Sequence, residues 1–174
     1  RCTSDIIICR HTFLRRKETA IQRDLEISLT DIAHGGETLG RHRGQVVFVP
    51  YALPGERVRV RITEARKRYA RGELVEVLEP SPDRVAPLCR HFGVCGGCQW
   101  QHIAYGTQLA YKRRIVRTQM ARLAGMPEVP VAPVLGMDVP WHYRNHAQFA
   151  LDDEGNLGYL AAHSHRVVPI EECY

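Results

Sequence analysis

ERVRVRIT, residues 56–63, alternates charged and apolar side chains with a period of two, and only an extended strand gives that period a physical meaning. Val58, Val60 and Ile62 fall on one face, and Arg57, Arg59 and Arg61 fall on the other. A strand with one apolar face needs neighbours that bury it, and the flanking sequence supplies them. LEISLT (25–30) and GQVVFVP (44–50) precede it, and GELVEVLE (72–79) follows. AHGGETLG (33–40) and YALPGE (51–56) read as the turns between these runs. In the last run Leu74 and Leu78 occupy one face while Val75 and Val77 occupy the other, which predicts a strand covered on both sides.

Four or five short strands between Leu25 and Leu78 suit a small barrel of the oligonucleotide-binding (OB) kind. On such a barrel the three arginines form a row on one face. EARKRYARG (64–72) adds Arg66, Lys67, Arg68 and Arg71 around Tyr69, offering charge for phosphates beside a ring for a base. The same pattern also fits a solvated strand face with a basic turn. The net charge of +5 favours polyanionic partners. Hydrophobic residues at 44% and charged residues at 25% are ordinary for a globular protein and argue against a disordered chain. No apolar run approaches the roughly 20 residues of a membrane helix, so the expectation is a cytoplasmic protein with no membrane partner. RCTSDIIICRHTFLRRKETA (1–20) shows neither helical nor strand periodicity and reads as an unpatterned leader. With Arg1 at one end and Tyr174 directly after a cysteine at the other, both ends read as cuts.

EPSPDRVAP (79–87) carries three prolines and marks the end of the barrel, because proline cannot continue a ladder. Beyond it, CRHFGVCGGCQWQH (89–102) brings Cys89, Cys95 and Cys98 within ten positions. Without an export signal, such thiols read as metal ligands rather than disulfides. Cys173 is the one cysteine downstream and the favoured fourth ligand, Cys2 and Cys9 lying in the leader. Zinc and an iron–sulfur cluster both accept four thiolates, and a single C-x2-C with one near and one remote cysteine leans toward the cluster. Gly96 and Gly97 fit that reading, since backbone without side chains approaches sulfur closely. His91 and His102 flank the segment and read as hydrogen-bonding neighbours, with a ligand role as the alternative.

Tyr105, Leu109, Lys112, Val116, Met120 and Leu123 recur at spacings of three and four, predicting one long helix over 104–124 that ends at Gly125 and Pro127. Lys112, Arg113, Arg114, Arg117 and Arg122 make its other side basic, either solvated or touching RNA. The remainder reads as antiparallel strands. Tyr143, Ala147, Phe149 and Leu151 share one face and Arg144, His146 and Gln148 the other, before DDEGN turns the chain into LGYL and then RVVPI.

These stretches carry a resemblance. CGGCQWQHIAYGTQLAYKRRIV (95–116) resembles the cluster motif of the RNA uracil-C5 methyltransferases, and AHGGETLGRHRGQVVFVPYALPGERVRVRI (33–62) resembles their N-terminal TRAM domain. YRNHAQFALDDEGNLGYLAAHSHRVVPIEEC (143–173) is similar to the middle of the same family, up to its fourth cluster cysteine. The resemblance implies a mainly β fold with one long helix. A TRAM, OB-like RNA-binding barrel would occupy 21–80 and a β-rich iron–sulfur cluster domain 81–174. It implies a [4Fe–4S] cluster on Cys89, Cys95, Cys98 and Cys173, and it places Arg144, in the family's YR motif, near the target nucleotide. The implied function is the RNA-binding and cluster-binding portion of an S-adenosylmethionine-dependent 23S rRNA (uracil-C5) methyltransferase, with transfer RNA as the alternative substrate. The implied partner is RNA and the implied state a monomer. Uracil C5 becomes nucleophilic only after a thiolate adds to C6, so the reaction needs a further cysteine, a base and a bound S-adenosylmethionine. The family holds these beyond its fourth cluster cysteine. The expectation is therefore a chain with no catalytic residue of its own, inert alone. A stand-alone RNA-binding module with a structural metal is the competing reading.

Overall fold

The computed structural model describes residues 24–174. The leader, with Cys2 and Cys9, lies outside the described residues. Five strands, β1 (Asp24–Ile32), β2 (Thr38–His42), β3 (Gln45–Val49), β4 (Arg57–Ala65) and β5 (Tyr69–Glu79), close a barrel in the order β1-β2-β3-β5-β4. Neighbours run antiparallel except β3 and β5, which are parallel, with Val46 opposite Tyr69. Ile27, Leu29, Val47, Val49, Val58, Val60 and Ala70 fill the interior, and each alternates with an outward neighbour as the pleat requires. Among the described residues the fold is mainly β with a single helix, α1 (Tyr105–Leu123), and a second sheet of β6 (Ala150–Leu151), β7 (Leu157–Leu160) and β8 (Val167–Pro169) in that order.

Three elements differ from the sequence reading. The stretch AHGGETLG is only half a turn, because its second half opens β2. Gly40 looks like a turn residue but sits within that strand, where a Cβ would stand 2.4 Å from the Ser28 carbonyl oxygen, so glycine is there for a close crossing. In β5 the register slips between Glu76, opposite Arg59, and Leu74, opposite Val60. Val75 is the extra residue of that bulge. It is 43% exposed, while Leu74 and Val77 both turn toward the core. The strand is thus covered on one side, not two. Residues 143–149 join no ladder, and Tyr143 and Phe149 stand exposed, since only Ala150–Leu151 finds a partner in β7.

Helix α1 ends as predicted at Gly125, whose φ of 67° is the left-handed conformation that glycine adopts freely. No residue of the helix is fully buried. It is held by named contacts instead. Arg114 pairs with Asp31 of β1 at 3.1 Å, Arg113 Nε donates to the Val131 carbonyl at 2.7 Å, and Tyr111 meets Trp100 edge to face at 6.4 Å.

Candidate functional site

The barrel and the cysteine segment meet at a buried carboxylate. Glu56 ends the YALPGE turn just before β4 and has no exposed surface. Its carboxylate accepts the Leu53 N–H at 2.8 Å, the Ser81 N–H at 3.2 Å, and both Nε (2.6 Å) and Nη2 (2.8 Å) of Arg84. Burial works against the charge, but Arg84 and the two backbone donors outweigh it and hold Glu56 below the usual carboxylate range. Arg84 Nη2 also donates to the Tyr51 carbonyl at 3.0 Å, and the Val85 N–H donates to the His102 carbonyl at 3.0 Å. The proline-rich stretch after β5 is therefore pinned to the barrel. Neither Glu56 nor Arg84 was signalled by the sequence, since a charged residue beside a glycine turn or between prolines reads as solvated.

His102 lies in the same seam, 2% exposed, with Nε2 3.5 Å from the Ala52 carbonyl oxygen and Nδ1 without a partner. Phe92 and Tyr51 pack beside its ring. Burial, followed by the Arg84 cation, lowers its pKa to about 4, so the ring is neutral at pH 7. His91 accepts from Arg90 through Nε2 at 3.2 Å, and its carbonyl takes the Cys95 N–H at 2.9 Å.

Beyond the seam, Cys89, Cys95, Cys98 and Cys173 line one pocket, walled by Phe92, Tyr159 and Ile170. All four are free thiols. Burial pushes the Cys173 thiol up, the thiols of Cys98, Cys89 and Cys95 push it further, and Arg144 opposes them. Among the described residues, no three His, Cys, Asp or Glu side chains stand close enough to share a single metal ion. The Gly97 N–H points at Cys95 Sγ at 3.4 Å. Gly96 has another task. Its N–H donates to the Leu160 carbonyl at 2.9 Å, and a Cβ there would lie 2.7 Å from that oxygen, so this glycine docks the loop on the second sheet. Cys95 and Ala161 form a bridge alongside. Arg144 does not share a strand face with His146 and Gln148. Its Nη2 donates to the Gly97 carbonyl at 2.8 Å, which sets it at the wall of the cysteine pocket.

The barrel arginines divide into two groups. Arg57 pairs with Glu26 and Glu79, Arg59 with Glu76 and Glu26, and Arg61 with Asp24. Arg66 pairs with Glu64, and Arg71 with Glu37 while its guanidinium stands 5.5 Å from the Phe48 ring. Lys67 and Arg68 make no ion pair among the described residues. Tyr69 is half-buried and packs edge to face on Phe48 at 6.0 Å. The partners of Arg57, Arg59 and Arg61 sit on neighbouring strands, which a local pattern does not reveal.

Residues 21–75 match the family model of the TRAM domain. Over 152 residues, 86% of this chain, it is 39% identical to a protein of Halalkalibacterium halodurans named as an uncharacterized RNA methyltransferase, and covers 33% of that protein. It is 36% identical over 166 residues to the 23S rRNA (uracil(1939)-C(5))-methyltransferase RlmD of Shewanella denitrificans, covering 90% of this chain and 35% of the relative. Among solved structures, the tRNA (uracil-54, C5)-methyltransferase of Pyrococcus abyssi, in complex with S-adenosyl-L-homocysteine, superimposes on 84% of this chain. The TM-score is 0.54 at 26% identity, and the match covers 32% of that structure. The chain spans about a third of the length of the relatives it matches. Residues 21–75 are thus similar to a TRAM domain, and over the matched span the chain is similar in sequence to RNA methyltransferases, a 23S rRNA uracil-C5 enzyme among them.

Proposed function

We propose that this chain is the RNA-gripping and cluster-binding part of an S-adenosylmethionine-dependent methyltransferase that modifies uracil C5 in 23S rRNA. The observation that carries the reading is the convergence of four thiols, one of them from Cys173, on a single apolar-walled pocket fastened to a TRAM barrel. Cys89, Cys95, Cys98 and Cys173 would hold a [4Fe–4S] cluster, which supplies a rigid crosslink and a redox-capable centre when bound. The donor set fits. Four thiolates lining one pocket are the ligands a cube takes, one to each iron, and the apolar wall shields such a centre from water.

The residues around the pocket have separable tasks. Gly97 aims its N–H at a ligand sulfur, which strengthens a thiolate against protonation. Arg144 brings a cation beside four thiolates and is fixed by the Gly97 carbonyl. From there it bridges the cysteine pocket and an adjoining cleft that Trp100, Tyr105, Trp141 and Tyr143 also line, and a target nucleotide beside it would meet both charge and rings. The four described cysteines all line that one pocket, and we assign the thiol that attacks uracil C6, the base and the S-adenosylmethionine site to other parts of the enzyme. We assign the working form to a monomer in the cytoplasm. Ribosomal RNA is favoured because a 23S rRNA uracil-C5 methyltransferase is 36% identical over 90% of this chain.

Anaerobic purification tests the cluster. The expected product is brown, with about four irons and four sulfides per chain. Colourless protein holding one zinc overturns it.

A further inference from the structure

The strand face that the sequence offers to RNA is internally neutralised, since Arg57, Arg59 and Arg61 each have a carboxylate partner on an adjoining strand. Among the described residues, the barrel cations that make no ion pair gather at one end of it. Arg41 is the penultimate residue of β2, Arg43 lies in the β2–β3 turn, and Lys67 and Arg68 lie in the β4–β5 turn, all four exposed. Parallel pairing of β3 with β5 sets those two turns side by side. Gln45 then fastens them together, its Nε2 donating to the Arg66 and Tyr69 carbonyl oxygens. Arg41 Nη1 reaches the Gly44 carbonyl at 3.3 Å and stiffens the first turn from within.

Arg43 is conformationally costly where it stands. Its φ is 51° and that of Gly44 is 83°, the pair of positive values that a two-residue hairpin turn demands and that asparagine or glycine meets at less cost. An arginine kept at such a position needs a reason beyond the turn. Resting on the reading of this chain as RNA-binding, we propose that the barrel grips RNA phosphates at this end, through Arg41, Arg43, Lys67 and Arg68 on two turns locked by Gln45, and not through its ion-paired strand face. A free guanidinium meets a phosphate without first abandoning a carboxylate, whereas Arg57, Arg59 and Arg61 must exchange one anion for another. Four cations on two braced turns follow a backbone and read no base edge, so the ligand is the sugar–phosphate chain of RNA whatever its sequence.

The test uses the whole chain and a fluorescent single-stranded RNA, with anisotropy followed between about 50 and about 200 mM salt. Four phosphate contacts, at roughly 0.7 counterions each, give a log–log slope near −3. The combined change Arg43→Gln, Lys67→Gln and Arg68→Gln should flatten the slope by about 2 and weaken binding at least tenfold at the lower salt. The control Arg57→Gln, Arg59→Gln and Arg61→Gln should leave it within about half a unit. Gln45→Leu removes no charge but unties the turns, and should weaken binding severalfold at unchanged slope. Flattening by the strand set, alone or equally with the turn set, overturns the placement while RNA binding itself stands. Affinity untouched by Gln45→Leu shows that the turns do not act as one surface and overturns the placement too. A wild-type chain with no salt-dependent binding brings down the RNA-binding reading as well.

Discussion

Glu56 makes its four hydrogen bonds with no surface of its own in water, so its removal strands Arg84 and two backbone donors together. Breaking a buried pair from one side typically costs about 3–5 kcal/mol, and the partial exposure of Arg84 puts Glu56→Ala near the lower end. Urea unfolding of the variant against wild type measures it. His102 adds a pH dependence. Its pKa in the fold, about 4, lies below the ordinary value near 6.5, so the unfolded chain takes the proton first. The stability it contributes is complete above about 6.5 and drains away as pH falls toward about 4. Glu56, also lowered, loses its share further down, as pH drops through its folded value. Unfolding midpoints taken at steps from pH 7 to pH 4 should decline for wild type and decline less for His102→Gln. Equal declines show that the ring is not the titrating group.

Among the elements, β2 illustrates what a local pattern conceals. Thr38 and Gly40 are its buried residues, and neither is the large apolar side chain by which β1, β3 and β4 announce themselves. The glycine that disguises the strand is also what lets it cross β1. Gly40→Ala would drive a methyl into the Ser28 carbonyl and should cost about 1–3 kcal/mol, whereas Gly106→Ala, in open space on α1, should gain about 0.5–1 kcal/mol. Thermal melts of the two variants should move in opposite directions. The bulge at Val75 was hidden for a related reason, because a two-residue period cannot announce its own interruption. The four cysteines were legible from spacing and resemblance, and the one long helix from its repeat. The arginine pairings were not, since Asp24, Glu26 and Glu76 become neighbours only once strand register is set. Residues 143–149 misled for the opposite reason, alternating like a strand where the described residues supply no partner to complete the ladder.

At the scale of the molecule, the cysteine loop lies between the barrel and the second sheet. Tyr51, Phe92 and His102 join it to the barrel on one side, while the Cys95–Ala161 bridge and the Gly96 N–H join it to β7 on the other. If the four thiols hold a cluster, Cys173→Ser should lower bound iron and reduce hydrogen-exchange protection in β6, β7 and β8 while leaving β1–β5 protected. Undiminished iron would place the fourth ligand elsewhere. The same arrangement sets a schedule for the newborn chain. Cys98 leaves the ribosome about 75 residues ahead of Cys173, which at roughly 5–20 residues per second is a delay of about 4–15 s. Throughout that interval the barrel has every strand it needs, but for most of it Leu160 and Ala161, and for all of it the last thiol, have yet to be made. Three thiols wait on a folded support, open to oxidants and stray metal ions, so the cell's protection of this site matters most during translation.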